Sequence, residues 1–343
     1  MSKKKSEAGK NAAGAENSQG QIKAREQDEN LSQPPANPVE EVYHVPVMLR
    51  ETVDALVTDP SGVYVDCTFG GGGHSREILS RLNEKGRLYA FDQDADAKAN
   101  LPDDPRIIFI PHNFRHLSRM LRLHKVSEVN GILADLGVSS HQFDEPTRGF
   151  STRFDADLDM RMDTRQELTA YDVVQTYSQE RLHKILGEYG EVTNAKTLAA
   201  TIVGARNSIS LKTISNFKNA VRQAVKGNPN KYFAQVFQAL RIEVNDELGA
   251  LKELLEQVPS VLSPAGRIVV ITFHSLEDRL VKNFFKKGTF EEEEDLNPFE
   301  NAPDRSQLEV ITRKPITAGE EELKINPRSR SAKLRVAMKK MTG

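Results

Sequence analysis

The sequence contains a single cysteine, Cys67, among its 343 residues. One cysteine excludes an internal disulfide and any zinc site that needs several cysteines, and it is typical of proteins in the reducing cytoplasm. Long apolar runs are also missing, since no stretch approaches the roughly 18 apolar residues that a membrane span requires. The lysines near the amino terminus have no apolar stretch behind them, so we expect no secretory signal. These absences predict a cytoplasmic protein without a membrane partner.

Residues 1–40 lack aromatic side chains and have almost no aliphatic ones. Their charges nearly balance, and small or polar residues fill the rest of the segment. A segment of this composition cannot bury enough apolar surface to offset the entropy that is lost on ordering. We therefore predict a disordered tail over 1–40.

After this segment, five short runs of β-branched or aromatic residues alternate with helical stretches. The runs are VYVDC (63–67), RLYAF (87–91), RIIFI (106–110), GILAD (131–135) and RIVVITF (267–273). Strands separated by helices predict right-handed βαβ units and a parallel sheet that is covered on both faces. Two later segments, 307–314 and 332–339, are predicted to form an antiparallel pair. The fold class is therefore α/β.

The long stretch between the fourth and fifth runs has helical periodicity. Leu182, Ile185, Leu186 and Tyr189 are spaced for one face of a helix, and similar spacing recurs further along. We expect most of this stretch to be a helical insertion after the fourth strand. The predicted organisation is a tail (1–40), the first part of a sheet domain (41–143), the insertion (144–244), and a second part of the sheet domain with a basic end (245–343).

The segment DCTFGGGGH (66–74) follows a predicted strand and precedes a predicted helix. A glycine-rich turn in this position lets a ligand approach the backbone and the amino end of the helix. Asp92 follows the second strand, where an acidic side chain can accept hydrogen bonds from the ribose hydroxyls of a nucleotide-like cofactor. The pattern therefore favours an adenosine-type cofactor over a tight turn without a ligand.

Two cofactors compete for this turn. A dinucleotide would require the spacing G-x-G-x-x-G, and Gly70 and Gly72 provide only the first two positions because Ser75 occupies the third. Asp66, at the start of the segment, is instead typical of sites for S-adenosylmethionine (SAM). A SAM-dependent enzyme is therefore favoured, and an NAD-dependent dehydrogenase is the alternative.

Several polar residues are predicted to lie at strand ends, where open α/β sheets bind their ligands. They are Asp66, Asp92, Asp135 and His274. We predict Ser275 as the N-cap of the next helix, with Asp278 reaching back as in a capping box, and His274 as a substrate contact. His112 and His116 have the spacing of zinc ligands but no cysteine or carboxylate grouped around them, so we predict no metal site.

Seven motifs occur along the chain in a fixed order. They are DCTFGGGGHS (66–75), ILADLGVSSHQFD (132–144), RGFS (148–151), LDMRMD (158–163), FQALRIEVNDEL (237–248), ITFHSLEDR (271–279) and NPRSRSAKLR (326–335). Together they closely resemble the bacterial 16S rRNA cytosine-N4 methyltransferases of the RsmH (MraW) family, from about residue 44 to residue 340. Cys67 stands where the family usually has glycine, and KYFAQVFQALRI lacks the family's His-Pro-Ala-Thr-Arg lead-in.

The resemblance implies a class I SAM-dependent methyltransferase with a seven-stranded, Rossmann-like sheet and an inserted all-helical domain. It places cofactor contacts at Gly72, Gly73, His74, Asp92 (ribose), Phe114 (adenine), Asp135 and Gln142. Its substrate would be one cytidine in the decoding region, at the P site, of 16S rRNA within the 30S subunit or a late precursor. A homodimer is compatible with the sequence.

Methyl transfer to N4 of cytosine is difficult because the nitrogen lone pair is delocalised into the ring. Transfer from a sulfonium needs no metal, only an in-line attack at close range, which positioning can supply. We expect Asp135 either to accept an N4 hydrogen or to position the cofactor, and His274 is the second catalytic candidate. Two other functions stay open. One is a DNA cytosine-N4 methyltransferase, although its usual Pro-Pro-aromatic motif is missing, and the other is an RNA-binding assembly factor without catalysis.

A strong overall charge is missing too, since 47 basic and 49 acidic residues leave a formal net charge of −2. RNA binding must therefore depend on local patches. The segment RGFSTRF (148–154) interleaves Arg148 and Arg153 with Phe150 and Phe154, a mixture suited to stacking bases and holding phosphates. The alternative is that its phenylalanines are core residues and its arginines pair with acids.

The segment from 327 to 340 contains basic residues and no acidic ones. We predict RNA contacts at Arg328, Arg330, Lys333 and Arg335. In a strand, Lys333 and Arg335 would share one face, directed towards phosphate. Such contacts supply affinity and a salt-dependent binding constant rather than sequence choice.

Overall fold

The computed structural model describes residues 46–290 and 306–341, and the predicted tail (1–40) lies outside this part of the chain. Its strands are β1 (Val63–Asp66), β2 (Arg87–Phe91), β3 (Ile107–Ile110), β4 (Val129–Asp135), β5 (Leu262–Thr272), β6 (Leu308–Val310) and β7 (Lys333–Lys339). They form one sheet in the order β3-β2-β1-β4-β5-β7-β6. The first five strands pair in parallel, and β7 lies antiparallel between β5 and β6. The predicted seven-stranded α/β sheet is therefore confirmed.

Twelve α-helices accompany the sheet in the described ranges. They are α1 (Leu49–Leu56), α2 (Gly73–Arg81), α3 (Leu117–Leu123), α4 (Ser140–Asp144), α5 (Ala170–Thr176), α6 (Gln179–Glu188), α7 (Ala195–Ala205), α8 (Ile214–Ala220), α9 (Pro229–Asn245), α10 (Glu247–Val261), α11 (Ser275–Lys287) and α12 (Glu320–Ile325). Short 3-10 helices span Ala95–Asn100, Phe114–His116, Pro146–Arg148, Arg222–Ala224 and Pro327–Ser331. None of the helices described is long and apolar enough to cross a bilayer.

Neighbouring residues of the central strands pack on opposite faces of the sheet. Ile132 of β4 belongs to a core that includes side chains of α3, α10 and α11. The next residue, Leu133, belongs to the core on the other face, with side chains of α1 and α2. A strand buried on both faces must be apolar at consecutive positions, which explains why the strands appear in the sequence as continuous apolar runs.

The region from α5 to α9 has a third core of its own, which extends in sequence from Phe150 to Val244. Leu182, Ile185 and Leu186 are buried along α6, so the predicted helical periodicity is confirmed there. Helix α9 begins where the Asn228 side chain accepts backbone hydrogen bonds. The limits of the insertion, 144–244, stay a prediction.

Candidate active site

The glycine turn between β1 and α2 is subject to several backbone and packing constraints. Gly70 and Gly72 have positive φ angles of 49° and 75°, a region that residues with a Cβ rarely adopt. A Cβ on Gly73 would collide with the ring of Pro46. A Cβ on Gly71 would have no described atom within 4 Å. The open side of Gly71 is therefore a direction from which a ligand can approach the backbone.

Asp66, the last residue of β1, holds this turn with both carboxylate oxygens. The Ser75 hydroxyl donates to Oδ2 (2.7 Å), and the backbone N–H of Thr68 donates to Oδ1 (3.0 Å). Burial raises the pKa of Asp66, while these hydrogen bonds act to lower it. Ser75 occupies the third position of the dinucleotide spacing. It hydrogen-bonds to Asp66 and does not serve as the glycine that a dinucleotide site requires there.

Asp92 follows β2 and contacts the same turn. The backbone N–H of Gly70 donates to its Oδ2 (2.7 Å), and that of Asp94 donates to its Oδ1 (2.8 Å). Burial raises the pKa of Asp92 to about 6, against the lowering effect of the two hydrogen bonds. Each carboxylate oxygen has a second lone pair, so Asp92 can still accept hydrogen bonds from ribose hydroxyls.

Asp135 ends β4 beside the glycine turn. Its backbone N–H donates to Thr68 Oγ1 (2.7 Å), and its Oδ2 lies 3.6 Å from Nδ1 of His74. Its Oδ1 is buried and has no hydrogen-bond partner among the described residues. Burial raises the pKa of Asp135 well above its usual range, and the negative charges of Asp66 and Glu277 add to the rise. A buried polar atom without a partner is costly, which indicates that this oxygen meets a ligand.

His74 lies in the first turn of α2 and is buried. Its Nε2 is 3.1 Å from the backbone carbonyl oxygen of Val47, which can only accept, so Nε2 carries a proton. Burial lowers the pKa of His74 to about 4, so the ring is neutral at neutral pH and its Nδ1 has a lone pair. That lone pair faces the carboxyl group of Asp135, and the two acceptors can share one proton.

A buried polar network joins the loop after β2 to α4. Gln142 Nε2 donates to Asp94 Oδ2 (2.7 Å), and Arg148 Nη2 lies 2.9 Å from the same oxygen. Arg148 also pairs with Asp96 Oδ2 (3.0 Å) and donates to the carbonyl oxygen of Met162 (3.1 Å). Gln142 is therefore held beside the loop that carries Asp92, and its cofactor contact stays a prediction.

Two predicted RNA contacts of the RGFS motif are interior residues. Arg148 is only 9% exposed, and its guanidinium is occupied by the network around Asp94. Phe150 is 7% exposed and belongs to the core of the helical region. The structure therefore corrects both assignments in favour of the alternative, core phenylalanine and paired arginine.

Two predicted RNA contacts in the C-terminal strand, Lys333 and Arg335, pair with one carboxylate. Lys333 Nζ lies 3.3 Å from Asp278 Oδ2, and Arg335 Nε lies 2.6 Å from Asp278 Oδ1. Strand alternation does put both basic residues on one face, as predicted. Arg335 is buried against its carboxylate partner, which contradicts its predicted RNA contact. The Lys333 side chain is 41% exposed, so its RNA contact stays a prediction. Asp278 is consequently engaged with β7.

His274 is the N-cap of α11, the position that the sequence analysis assigned to Ser275. The carboxylate of Glu277 accepts the backbone N–H of Phe273 (2.8 Å), and Glu277 Oε1 lies 3.1 Å from His274 Nε2. Ser275 instead donates its hydroxyl to Glu191 (2.8 Å). The N-cap assignment was therefore wrong by one residue, and a substrate contact of His274 stays a prediction.

His274 also belongs to a group with the spacing of a metal site. One ligand atom from each of Glu247, His274 and Glu277 lies within 4.8 Å of the others. However, Arg241 Nε donates to Glu247 Oε1 (2.8 Å), and its positive charge already neutralises that carboxylate. A metal ion would be repelled by the guanidinium at this position.

Three further predicted residues lie outside the network around the glycine turn. Phe114 starts its 3-10 helix after β3, and the preceding Asn113 donates to Gln93 (2.7 Å) in the loop that carries Asp92. This position suits the predicted adenine contact, which stays a prediction. Arg153 and Arg330 are exposed at the surface, where an RNA contact is sterically open.

Sequence reasoning missed three polar residues of the site. Thr68 joins the ends of β1 and β4, and Asp94 is the acceptor around which Gln142 and Arg148 are arranged. Ser75 was considered only as a missing glycine. All three lie in or next to the motifs that contain Asp66 and Asp92. Their closeness in sequence to these two aspartates is the signal from which they could have been predicted.

The residues present fit SAM. The carboxylates of Asp66, Asp92 and Asp135 surround one turn, and the neutral His74 adds no positive charge. A site of this sign suits a cationic ligand, and SAM carries both a sulfonium and an ammonium group. The backbone at Gly71 leaves space for such a ligand.

Comparisons with known proteins agree with this site. The model of the MraW methylase family matches residues 41–340. The ribosomal RNA small subunit methyltransferase H of Parabacteroides distasonis is 54% identical over 299 residues, covering 87% of this chain and 97% of that relative. The proteins of the same name from Bacteroides thetaiotaomicron and Flavobacterium johnsoniae are 53% and 52% identical, each over 87% of this chain and 98% of the relative.

Among solved structures, an rRNA methylase from Streptococcus thermophilus aligns with 84% of this chain and 92% of its own. Its sequence identity is 10% and the TM-score is 0.36, a likeness too distant to support a statement about function. The family model and the relatives, in contrast, span almost all of the described residues. The chain belongs to the MraW methylase family and is a SAM-dependent methyltransferase.

Proposed function

We propose that this protein transfers a methyl group from SAM to N4 of one cytidine in the decoding region of 16S rRNA. The substrate is the small ribosomal subunit or a late precursor of it. The relatives that are half identical to this chain are named as methyltransferases of small-subunit ribosomal RNA. The observation that carries the proposal is the unpartnered Oδ1 of Asp135, a buried acceptor at the end of β4 beside the glycine turn.

Different residues would hold the methionine, ribose and adenine parts of SAM. The backbone of the glycine turn at Gly72, Gly73 and His74 would face the methionine portion, and Asp92 would accept from the ribose hydroxyls. Phe114 would contact the adenine, and Gln142 would contact the cofactor from α4. When bound, SAM supplies an electrophilic methyl group, and the chain itself contributes positioning and proton acceptance.

Asp135 is suited to hold the amino group of the target base. An N4–H donor would satisfy Oδ1, which has no partner among the described residues. Accepting this hydrogen favours a pyramidal nitrogen, whose lone pair is then directed at the methyl carbon. The raised pKa of Asp135 makes its carboxylate a better proton acceptor than an exposed aspartate.

His74 provides the second half of this arrangement. Its Nε2–H is held by the Val47 carbonyl, so the ring orientation and tautomer are fixed and Nδ1 points at Asp135 Oδ2 (3.6 Å). A proton taken from N4 by Asp135 can therefore be shared with a neutral imidazole. The buried setting also excludes water that would compete for Oδ1.

The test is transfer of labelled methyl from SAM to small subunits from cells that lack this protein. Wild type, Asp135→Ala and Asp135→Asn are compared, and the rRNA is digested to nucleosides. The matched control is Asp54→Ala, which removes an exposed aspartate on α1 (61% exposed). We expect N4-methylcytidine with wild type and the control, and a loss of about 100-fold or more in rate with both Asp135 variants.

Label in another nucleoside would contradict the proposed target while keeping the cofactor. No transfer to a verified unmodified subunit, with SAM binding intact, would favour an assembly factor without catalysis. Transfer to DNA and not to the subunit would favour a DNA methyltransferase. Full activity of Asp135→Ala would remove Asp135 from the mechanism.

A further inference from the structure

A cluster of arginines and aromatic rings lies on the surface at the end of α4, and the proposed reaction does not use it. The guanidinium carbons of Arg153 and Arg328 lie 5.0 Å and 4.9 Å from the ring centre of Phe143. Both guanidinium groups also bond to one carboxylate, that of Asp144, at 3.0 Å and 2.9 Å. The ring centre of Phe154 lies 5.6 Å from the guanidinium carbon of Arg153.

This cluster (Phe143, Asp144, Arg153, Phe154 and Arg328) is assembled from three separate parts of the chain. Helix α4 supplies Phe143 and Asp144, the loop after it supplies Arg153 and Phe154, and the 3-10 helix Pro327–Ser331 supplies Arg328. Two positive charges face one negative charge, so the cluster keeps a net positive charge. Arg330, exposed on the same 3-10 helix, adds another.

The cluster is open to solvent. Arg153 is 57% exposed, Asp144 is 56% exposed and Phe154 is 41% exposed. Exposed ion pairs of this kind add little to stability, so a phosphate can replace the Asp144 carboxylate at little cost. Arginine binds phosphate with two parallel hydrogen bonds, and a ring contact restricts the guanidinium to few orientations.

The position of the cluster ties it to the candidate active site. Gln142, the residue before Phe143, is buried and bonded to Asp94 in the loop that carries Asp92. Helix α4 thus turns one side chain towards the cofactor site and the next two towards the surface. When a target base is taken out of its stack to enter a site, its unstacked neighbours need a surface to contact.

We propose that this cluster binds one unpaired nucleotide of the rRNA next to the target cytidine, a proposal that rests on the proposed function. The phosphate of that nucleotide lies between Arg153 and Arg328 and displaces Asp144. Its base stacks on the exposed ring of Phe154, as single-stranded nucleic acids stack on aromatic side chains. The contact positions the strand and does not select the sequence.

The experiment uses the full-length enzyme and unmodified small subunits. The variants are Arg153→Ala with Arg328→Ala, Phe154→Ala and Phe154→Trp. The matched control is Arg81→Ala, because Arg81 is a partly exposed arginine (43%) that pairs with Glu77 and Asp54 at the end of α2. For each protein we would measure KM for subunits, kcat, the Kd for SAM, and the dependence of subunit binding on salt.

We expect the double arginine variant to raise KM by about tenfold or more, and to reduce the slope of log binding against log salt by roughly 0.7 to 0.9 per lost phosphate contact. Phe154→Ala should raise KM by about fivefold or more, and Phe154→Trp should restore it. Values of kcat and the Kd for SAM should stay within about twofold of wild type, since the cluster touches neither the cofactor nor the reacting atoms. The control should resemble wild type.

A double variant with the KM and salt slope of Arg81→Ala would overturn the proposal. So would a Phe154→Ala defect that the tryptophan variant does not correct. Equilibrium binding of the same variants to subunits without SAM keeps the two proposals separable, because it does not depend on which nucleoside is methylated. If wild type forms no N4-methylcytidine, the proposed function fails, and the binding series still decides for or against the cluster.

Discussion

Two arginine–phenylalanine pairs stand within seven residues of each other, and the fold treats them in opposite ways. Arg148 and Phe150 are 9% and 7% exposed, one bonded to Asp94 and the other packed in the helical core. Arg153 and Phe154 are 57% and 41% exposed. Side-chain chemistry is the same in both pairs, so residue type does not distinguish a structural arginine from one that a ligand can reach. The degree of burial distinguishes them.

The largest effect should come from the buried arginine. Arg148→Ala would leave the carboxylate of Asp94 buried without its cation, and we expect it to lower the free energy of unfolding by about 3–5 kcal/mol. Arg153→Ala, which removes an exposed partner, should lower it by less than about 1 kcal/mol. Urea titration of the two variants measures both values. If both variants lost the same free energy of unfolding, the difference in burial between Arg148 and Arg153 would not affect stability.

Burial should also appear in the pH dependence of stability, through His74. Its pKa is about 4 in the folded protein, against about 6.5 in an unfolded chain. Between these values the unfolded chain binds more protons, so the stability is complete above pH ~6.5 and falls as the pH decreases towards 4. The expected loss is on the order of 2–3 kcal/mol at pH ~4.5.

The comparison is between wild type and His74→Gln, unfolded with urea from pH 7 to pH 4.5. Asp92 has a raised pKa of about 6, so its own contribution changes in the opposite direction over this range. Asp92 is present in both proteins, so its contribution cancels in the difference. The difference therefore measures the loss of His74 together with the loss of its contact with Asp135, whose pKa is also raised. A stability difference that stays constant with pH would contradict a neutral, buried His74.

The smallest effect should come from the exposed ring. Phe154→Ala should change the free energy of unfolding by no more than about 0.5 kcal/mol, because the residue is 41% exposed and lies outside the helical core. Phe150→Ala is its matched partner and should cost about 3–5 kcal/mol through the cavity it leaves. Thermal unfolding of both variants tests the pair. A large loss for Phe154→Ala would mean that its effect on subunit binding is not separable from folding.

Local sequence patterns predicted the sheet well because they record which residues must be apolar at consecutive positions. Each predicted strand is present, although β5 begins at Leu262 instead of residue 267. The earlier start contains Pro264 and Gly266, which carry no strand signal. The same local reasoning placed the N-cap of α11 one residue late, since a histidine is not among the usual capping residues.

The sequence by itself determined the α/β alternation, the glycine turn, and the acidic residues that end β1 and β4 or follow β2. These features are local, because the apolar runs, the positive φ angles and the strand ends each depend on a few consecutive residues. Only the tertiary structure decided which basic residues pair with a carboxylate. Arg328 meets Asp144 across 184 positions of sequence, and Arg335 meets Asp278 across 57. A charged side chain is free or occupied according to partners that the fold brings from far away, and no spacing within its own segment records them.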